Sequence, residues 1–422
     1  LTSTGGLTLN SNANITSSTV IIRLQTTAQN IITSGSPGAL NILNITTTVT
    51  NTGSITIAGT LSGAGTLVQG TSSSLKINGS TFSLTTLDAS ASGNTVEYGA
   101  NANQTIRSST YHHLKCSGTS TKTLGGTVTV NGNLDITGVT LDAASPGNYP
   151  ITLSGNWSNT GTFTPRGGTV TFKGGSTQTI TKSGGETFNN LVFSGAGTKQ
   201  LANAVTINFD FTNSSTFDAG ANNIDIKGNW DNSGSYSSTN DVTFSNSSTI
   251  SGPSTTTFNN VIITGTLTGH ATNFNVTGNW TNNGTFTNNT GKVTFSGTTT
   301  ISGSSINSFA NVDVTGTLTA PAANINISRN FNNSGTFNHN SGTLTFNGAV
   351  AQTIQGANTF YNLTINNTVG GVAVTSGSQN LISTLTLTNG AFNTNNAFTL
   401  VSDASATARI AEITGGSITG NI

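Results

Sequence analysis

The most informative features of this 422-residue chain are the things it lacks. Charge is scarce: 13 Lys and Arg stand against 13 Asp and Glu, 6% of all residues, where an average globular protein carries roughly 25%. Those charges are scattered singly, so the basic footprint of a nucleic-acid binder is missing. No apolar run approaches the length of a membrane span. A single cysteine, Cys116, excludes an internal disulfide framework. Methionine is absent, and Thr, Ser, Asn and Gly (51 of the last) fill the chain, so little helix is expected. The chain opens at Leu1 with neither Met nor a signal peptide, which reads as a piece of something longer.

What is present is a repeat, and repeats decide a fold before any local propensity does. Gly278-Asn279-Trp280 leads to Val293-Thr294-Phe295, Thr300-Ile301-Ser302-Gly303 and Phe309-Ala310-Asn311-Val312. The stretch just upstream has the same landmarks at Gly228-Asn229-Trp230, Val242-Thr243-Phe244, Thr249-Ile250-Ser251-Gly252 and Phe258-Asn259-Asn260-Val261. Trp157, Trp230, Trp280 and Phe331 stand 73, 50 and 51 residues apart. Val96, Val170, Val242, Val293 and Leu344 open the Val-x-aromatic landmarks, 74, 72, 51 and 51 apart. Regular Val, Ile and Phe positions with this order argue against a disordered polar tract. Short period-2 runs broken by Gly, Asn and Ser are strand and turn signals.

Long and short repeats differ by about 22 residues, roughly one coil of a solenoid. A closed sandwich or barrel rarely tolerates loss of such a block, whereas a solenoid can drop a whole coil and stay in register. The expected fold is therefore all-β: an elongated parallel β-helix (β-solenoid) of roughly 17 coils, each of roughly 22–25 residues. Right-handedness follows from the general preference of parallel crossovers. Residues 1–93 form irregular N-terminal coils, 94–154 the first legible repeat and 155–227 a long repeat of three coils. Residues 228–277 and 278–328 are short repeats of two coils, and 329–422 a C-terminal long repeat that continues downstream.

Residues capable of chemistry are few and scattered along this frame. The acidic residues are Asp88, Glu97, Asp135, Asp142, Glu186, Asp210, Asp218, Asp225, Asp231, Asp241, Asp313, Asp403 and Glu412, no two closer than six in sequence. Glycosidase work needs two carboxylates about 5–9.5 Å apart, and coil spacing offers Asp210 with Asp231, or Asp218 with Asp241. His112-His113 resembles a metal pair, but it takes the place of Asn189-Asn190 and Asn259-Asn260 in other copies. Neighbours on a strand also point to opposite faces, which argues against shared chelation. His270 and His339 are isolated. Cys116 replaces Phe193, Ile263, Val314 and Ile365, so a core thiol is expected. The three Trp are expected in the core, since Phe331 substitutes for them in a fourth copy. Thr-rich strands such as 127–130 and 384–388 raise an ice-binding reading. It needs Thr-x-Thr at one position on many successive coils, and these pairs fall at different landmarks, so it is set aside. No catalytic, cofactor-binding or metal-ligating residue is assigned, and no cofactor is expected.

Asn94–Gly118, the Gly-Asn-Trp-x-Asn-x-Gly-Thr-Phe openings at Gly155 and Gly278, and Leu385–Ile422 resemble repeat-rich extracellular proteins of Bacteroidetes-type bacteria, many exported by the type IX pathway. The resemblance spans residues 94–422. It implies a secreted or cell-surface, adhesin-like protein, normally followed by a C-terminal sorting domain. The expected function is a structural or adhesive rod without enzymatic activity, giving length, stiffness and a display platform, with filament formation open to it. The alternative is a carbohydrate-binding or carbohydrate-active β-helix protein. Expected partners are surface glycans, other copies of the chain and the rest of a longer parent, with no nucleic acid and no membrane span.

Overall fold

The computed structural model describes residues 2–3, 7–9, 21–24, 29–33, 39–403, 407–411 and 413–422. Leu1, Val20, the Ala404–Ala406 part of the C-terminal motif and Glu412 lie outside them. The described residues contain no helix; they form short parallel strands stacked as a β-solenoid of about 19 turns. The chain divides into two units, Leu1–Asn208 with Asn213–Asp218 and Phe209–Thr212 with Ala219–Ile422. The division falls inside the expected long repeat 155–227.

Within each unit, a strand generally pairs with the strand three further along the chain, so three strands make one turn. In the first unit Ile55, Leu75, Val96, Leu114, Leu134, Trp157, Ile180 and Leu201 are successive register partners, each from the next turn. All eight are buried. A second file runs Tyr111, Val130, Leu153, Phe172 and Phe193. In the second unit Phe274, Val293, Val312, Phe331, Ile354 and Val374 form one file, and Val242, Val261, Trp280 and Ile301 another. Alternation does the sorting: the burial pattern of Lys292–Phe295 is outward Lys and Thr, inward Val and Phe. β-branched and aromatic residues suit such pleated positions. Each fully buried aliphatic or Phe side chain contributes about 1.5–3 kcal/mol relative to exposure.

Turn length varies with the corners. Val242 to Val261 and Val261 to Trp280 are 19-residue steps, whereas Leu134 to Trp157 takes 23. Only the longest turns reach the expected 22–25 residues; tighter ones occur outside the short repeats too, Val96 to Leu114 taking 18. The repeats also span fractional turns. From Asp241–Phe244 to Lys292–Phe295 is eight strands, or two and two-thirds turns; from Thr95–Tyr98 to Thr169–Phe172 is eleven, or three and two-thirds. The long repeat therefore exceeds the short by one whole turn. Because each repeat leaves two-thirds of a turn over, Val242, Val293 and Leu344 fall in three different files, one on each face of the second unit.

Glycine permits the tightest stacking. Gly297, Gly316 and Gly335 lie one above another, and a Cβ on Gly316 would overlap the Gly297 carbonyl oxygen, as one on Gly335 would overlap that of Gly316.

Candidate functional site

The residues able to do chemistry are spread along the stack, and most of them tie one turn to the next. Glu186 is buried and accepts from the Trp157 indole N–H at 2.8 Å, the Asn159 amide at 2.7 Å and the Thr187 backbone N–H at 3.0 Å. Burial pushes its carboxyl pKa up, against those hydrogen bonds. Other copies repeat the arrangement with neutral acceptors. Thr256 Oγ1 takes the Trp230 and Asn232 donors, and Asn307 Oδ1 takes Trp280 Nε1 at 2.8 Å. In the Phe331 copy, where no indole exists, Asn358 Oδ1 accepts from Asn333 at 2.9 Å. The Asn of each Trp-x-Asn faces inward and accepts from the N–H two residues on, as Asn159 does from Gly161 at 2.8 Å, an Asx-turn that shapes the corner.

The other acids serve locally. Burial would raise the Glu97 pKa, but Ser117, Lys76 and Lys115 together hold it below its usual value; the Lys76 ammonium lies 2.9 Å away. Asp142 is paired with Arg166 through two bonds of 2.9 and 2.8 Å, which lowers its pKa. Lys292 meets Asp313 at 2.6 Å. Asp241 accepts from Asn260, Asp225 from Ser245, and Asp88 from Ser90. Asp218 and Asp241 belong to different units. Asp210 and Asp231 line one open depression together with Thr212, Asn229, Thr249 and Ser251.

His112 and His113 sit side by side, their ring centroids 4.4 Å apart and edge to face. The opposite-faces argument does not apply here because the two are not on one strand: His112 lies in the corner between Ser109–Tyr111 and His113–Cys116, and His113 opens the second of these. His113 Nδ1 accepts the Asn133 backbone N–H at 2.9 Å. Burial, then neighbouring His112, lowers its pKa despite the pull of Asp135. The same role recurs turn after turn: Asn133 Oδ1 accepts from Asn156 N, Asn156 Oδ1 from Thr179 N, Asp210 Oδ1 from Asn229 N and Asn260 Oδ1 from Asn279 N. His113 and Asp210 are thus variants of an asparagine that caps the turn above. His270 is buried, with Nε2 2.7 Å from the Gly252 carbonyl oxygen. His339 stacks on Tyr361. Cys116 stacks between Tyr98 and Ile136, and burial pushes its thiol up to about 12. That leaves it protonated and unreactive at neutral pH. Trp157, Trp230 and Trp280 are fully buried. Among the described residues no group of three or more His, Cys, Asp or Glu is placed to hold a metal ion.

No family model, curated protein or solved structure matches the chain.

Sequence reasoning missed the buried glutamines and lysines. Gln178 donates to the Leu153 and Gly155 carbonyls of the turn below and accepts from Gly174 N. Gln104 and Gln352 make the same three bonds at their own corners. One turn on, Lys122 pairs in register with Gln104, and Lys199 with Gln178. Their buried ammonium groups donate only to backbone carbonyls, Lys122 to those of Ala100, Ala102 and Thr119. Burial lowers both lysine pKa values. The signal was present: Gln-Thr-Ile stands six residues after the landmark aromatic in these copies, whereas Ser248 and Thr299 stand only four after Phe244 and Phe295. The shorter corners leave the Ser248 and Thr299 hydroxyls buried without a partner.

Proposed function

We propose that the chain is a non-catalytic structural element, a stiff and protease-resistant stack that spaces or displays other parts of a bacterial surface or secreted protein. The observation that carries this reading is where the polar side chains are used. Asn, Gln, His and Lys groups bond to backbone of the neighbouring turn, so each turn is fastened to the next along the stack. Parallel ladders fastened in this way unfold by breaking many bonds together, which suits a load-bearing or spacing role. The likeness to repeat-rich extracellular Bacteroidetes-type proteins supports an extracellular location, an adhesin-like parent and type IX export. Surface glycans and further copies of the chain are the partners that this setting offers. Pulling single molecules by their ends tests the mechanical part: stepwise rupture at high force, with steps of one or a few turns, is expected. Smooth extension at low force contradicts it.

The carbohydrate reading rests on one feature, the depression shared by Asp210, Asp231, Thr212 and Ser251. Hydroxyls and carboxylates on an open surface can hydrogen-bond sugar hydroxyls. Glycan-array binding that Asp231→Asn abolishes would favour it.

A further inference from the structure

The register aligns threonines that the sequence shows only as scattered pairs. On one face of the second unit, Ser247 pairs with Thr266 and Thr266 with Thr285, while Thr249 pairs with Thr268 and Thr268 with Thr287. Hydroxyl side chains thus stand at i and i+2 on three successive turns, with Leu267 and Phe286 buried beneath them. A less complete version stands on another face of the same unit, where Thr298 and Thr300 pair with Thr317 and Thr319, and these with Thr336 and with Asn338, whose side-chain amide donates to the Thr319 hydroxyl at 3.4 Å. Neither block contains a charged residue. Among the described residues the Thr266, Thr268, Thr285 and Thr287 hydroxyls have no hydrogen-bond partner, and Thr266, Thr285 and Thr287 are exposed.

From this grid we infer that the two blocks bind ice. Strand geometry sets the spacing at about 4.8 Å between turns and about 6.7 Å between i and i+2. Hydroxyls at the first spacing are too far apart to bond each other directly, since O–H···O contacts are about 2.7–2.8 Å. One water can bridge each gap along a file, giving a two-dimensional array of ordered water held by the protein. Threonine suits this because its branched Cβ fixes χ1, so the hydroxyl and methyl positions are set before any ligand arrives. The methyl groups exclude water between the files and confine it to the grid. A crystal of water molecules is the ligand whose own repeat such an array can join. A phosphate or a nucleic acid would need charge that the blocks lack, and a sugar face would be expected to offer aromatic platforms, of which neither block exposes one outward. Each block spans three turns, so the expected activity is slowing of ice-grain coarsening and faceting of crystals, with only a small gap between melting and freezing points.

The test grows ice grains in a thin film containing the intact chain, beside a Thr268→Lys/Thr319→Lys double variant and a Thr294→Lys control. Thr294 lies outward on a strand that belongs to neither block. Circular dichroism and melting temperature verify folding of all three. Wild type and control are expected to slow grain growth several-fold, and the double variant to lose that effect while remaining folded. No effect of the wild type overturns the inference, as does full activity in the folded double variant. Binding to microcrystalline cellulose or chitin without any effect on ice also overturns it, in favour of a solid polysaccharide.

Discussion

At the scale of single residues, stability rests on whether buried donors and acceptors find partners. Trp280→Phe leaves a ring in the core, as Phe331 already does in its own copy, but strands Asn307 Oδ1 without the indole donor. The expected cost is about 1–3 kcal/mol in urea denaturation; a neutral result would mean the bond is dispensable. Thr299→Val goes the other way. The Thr299 hydroxyl is buried and unpartnered, so an isosteric methyl should stabilise by about 1 kcal/mol, and a clear loss would show that the hydroxyl has a partner. Glu186 supplies a pH signature. Its carboxyl pKa is raised by burial, so the folded state holds its proton more tightly than the unfolded chain does. That contribution is complete below the ordinary glutamate value and is lost as pH rises through the raised one. The urea midpoint should therefore fall over that interval, and Glu186→Gln should flatten the fall. A wild-type midpoint that rises relative to the variant contradicts the assignment.

At the scale of the element, the corner decides what a turn tolerates. Gly316→Ala places a methyl against the Gly297 carbonyl and is expected to cost more than about 3 kcal/mol, because backbone of two turns must part. Gly138 has φ +68° with open space around a Cβ, so Gly138→Ala should cost only about 1–2 kcal/mol. Equal losses in thermal melts would show that stacking distance is not the constraint. These corners also mark the limit of what the chain discloses unfolded. The inward landmark positions were legible because Val, Phe and Trp recur at fixed spacing, and the one-turn difference between repeats because an insertion must preserve register. The two-thirds of a turn left over in each repeat was not legible, since a 51-residue period does not state how many residues make a turn. For the same reason Thr266, Thr285 and Ser247 did not read as one file. The partners of Gln178 and Lys199 were hidden because the carbonyls they cap exist only once the corner below has folded.

At the scale of the whole molecule, the repeat and the turn are different units. The repeat sets composition, the turn sets pairing, and their mismatch carries each landmark to a new face. If successive Val-x-aromatic landmarks were stacked two turns apart, their outward neighbours Thr243 and Thr294 would lie about 10 Å from each other. In the structure Thr243 belongs to the file of Ile262, and Thr294 to that of Asn275 and Asp313. Thr294 and Asn332 are two turns apart in one file, which supplies the short-range standard. The most direct measurement is the dipolar coupling between spin labels on Thr243→Cys and Thr294→Cys in a Cys116→Ala background, with the Thr294→Cys/Asn332→Cys pair beside it. A three-strand turn predicts strong short-range broadening for the standard and a clearly longer distance for Thr243 with Thr294. Equal broadening in the two pairs would contradict it and return the repeat to a whole number of turns.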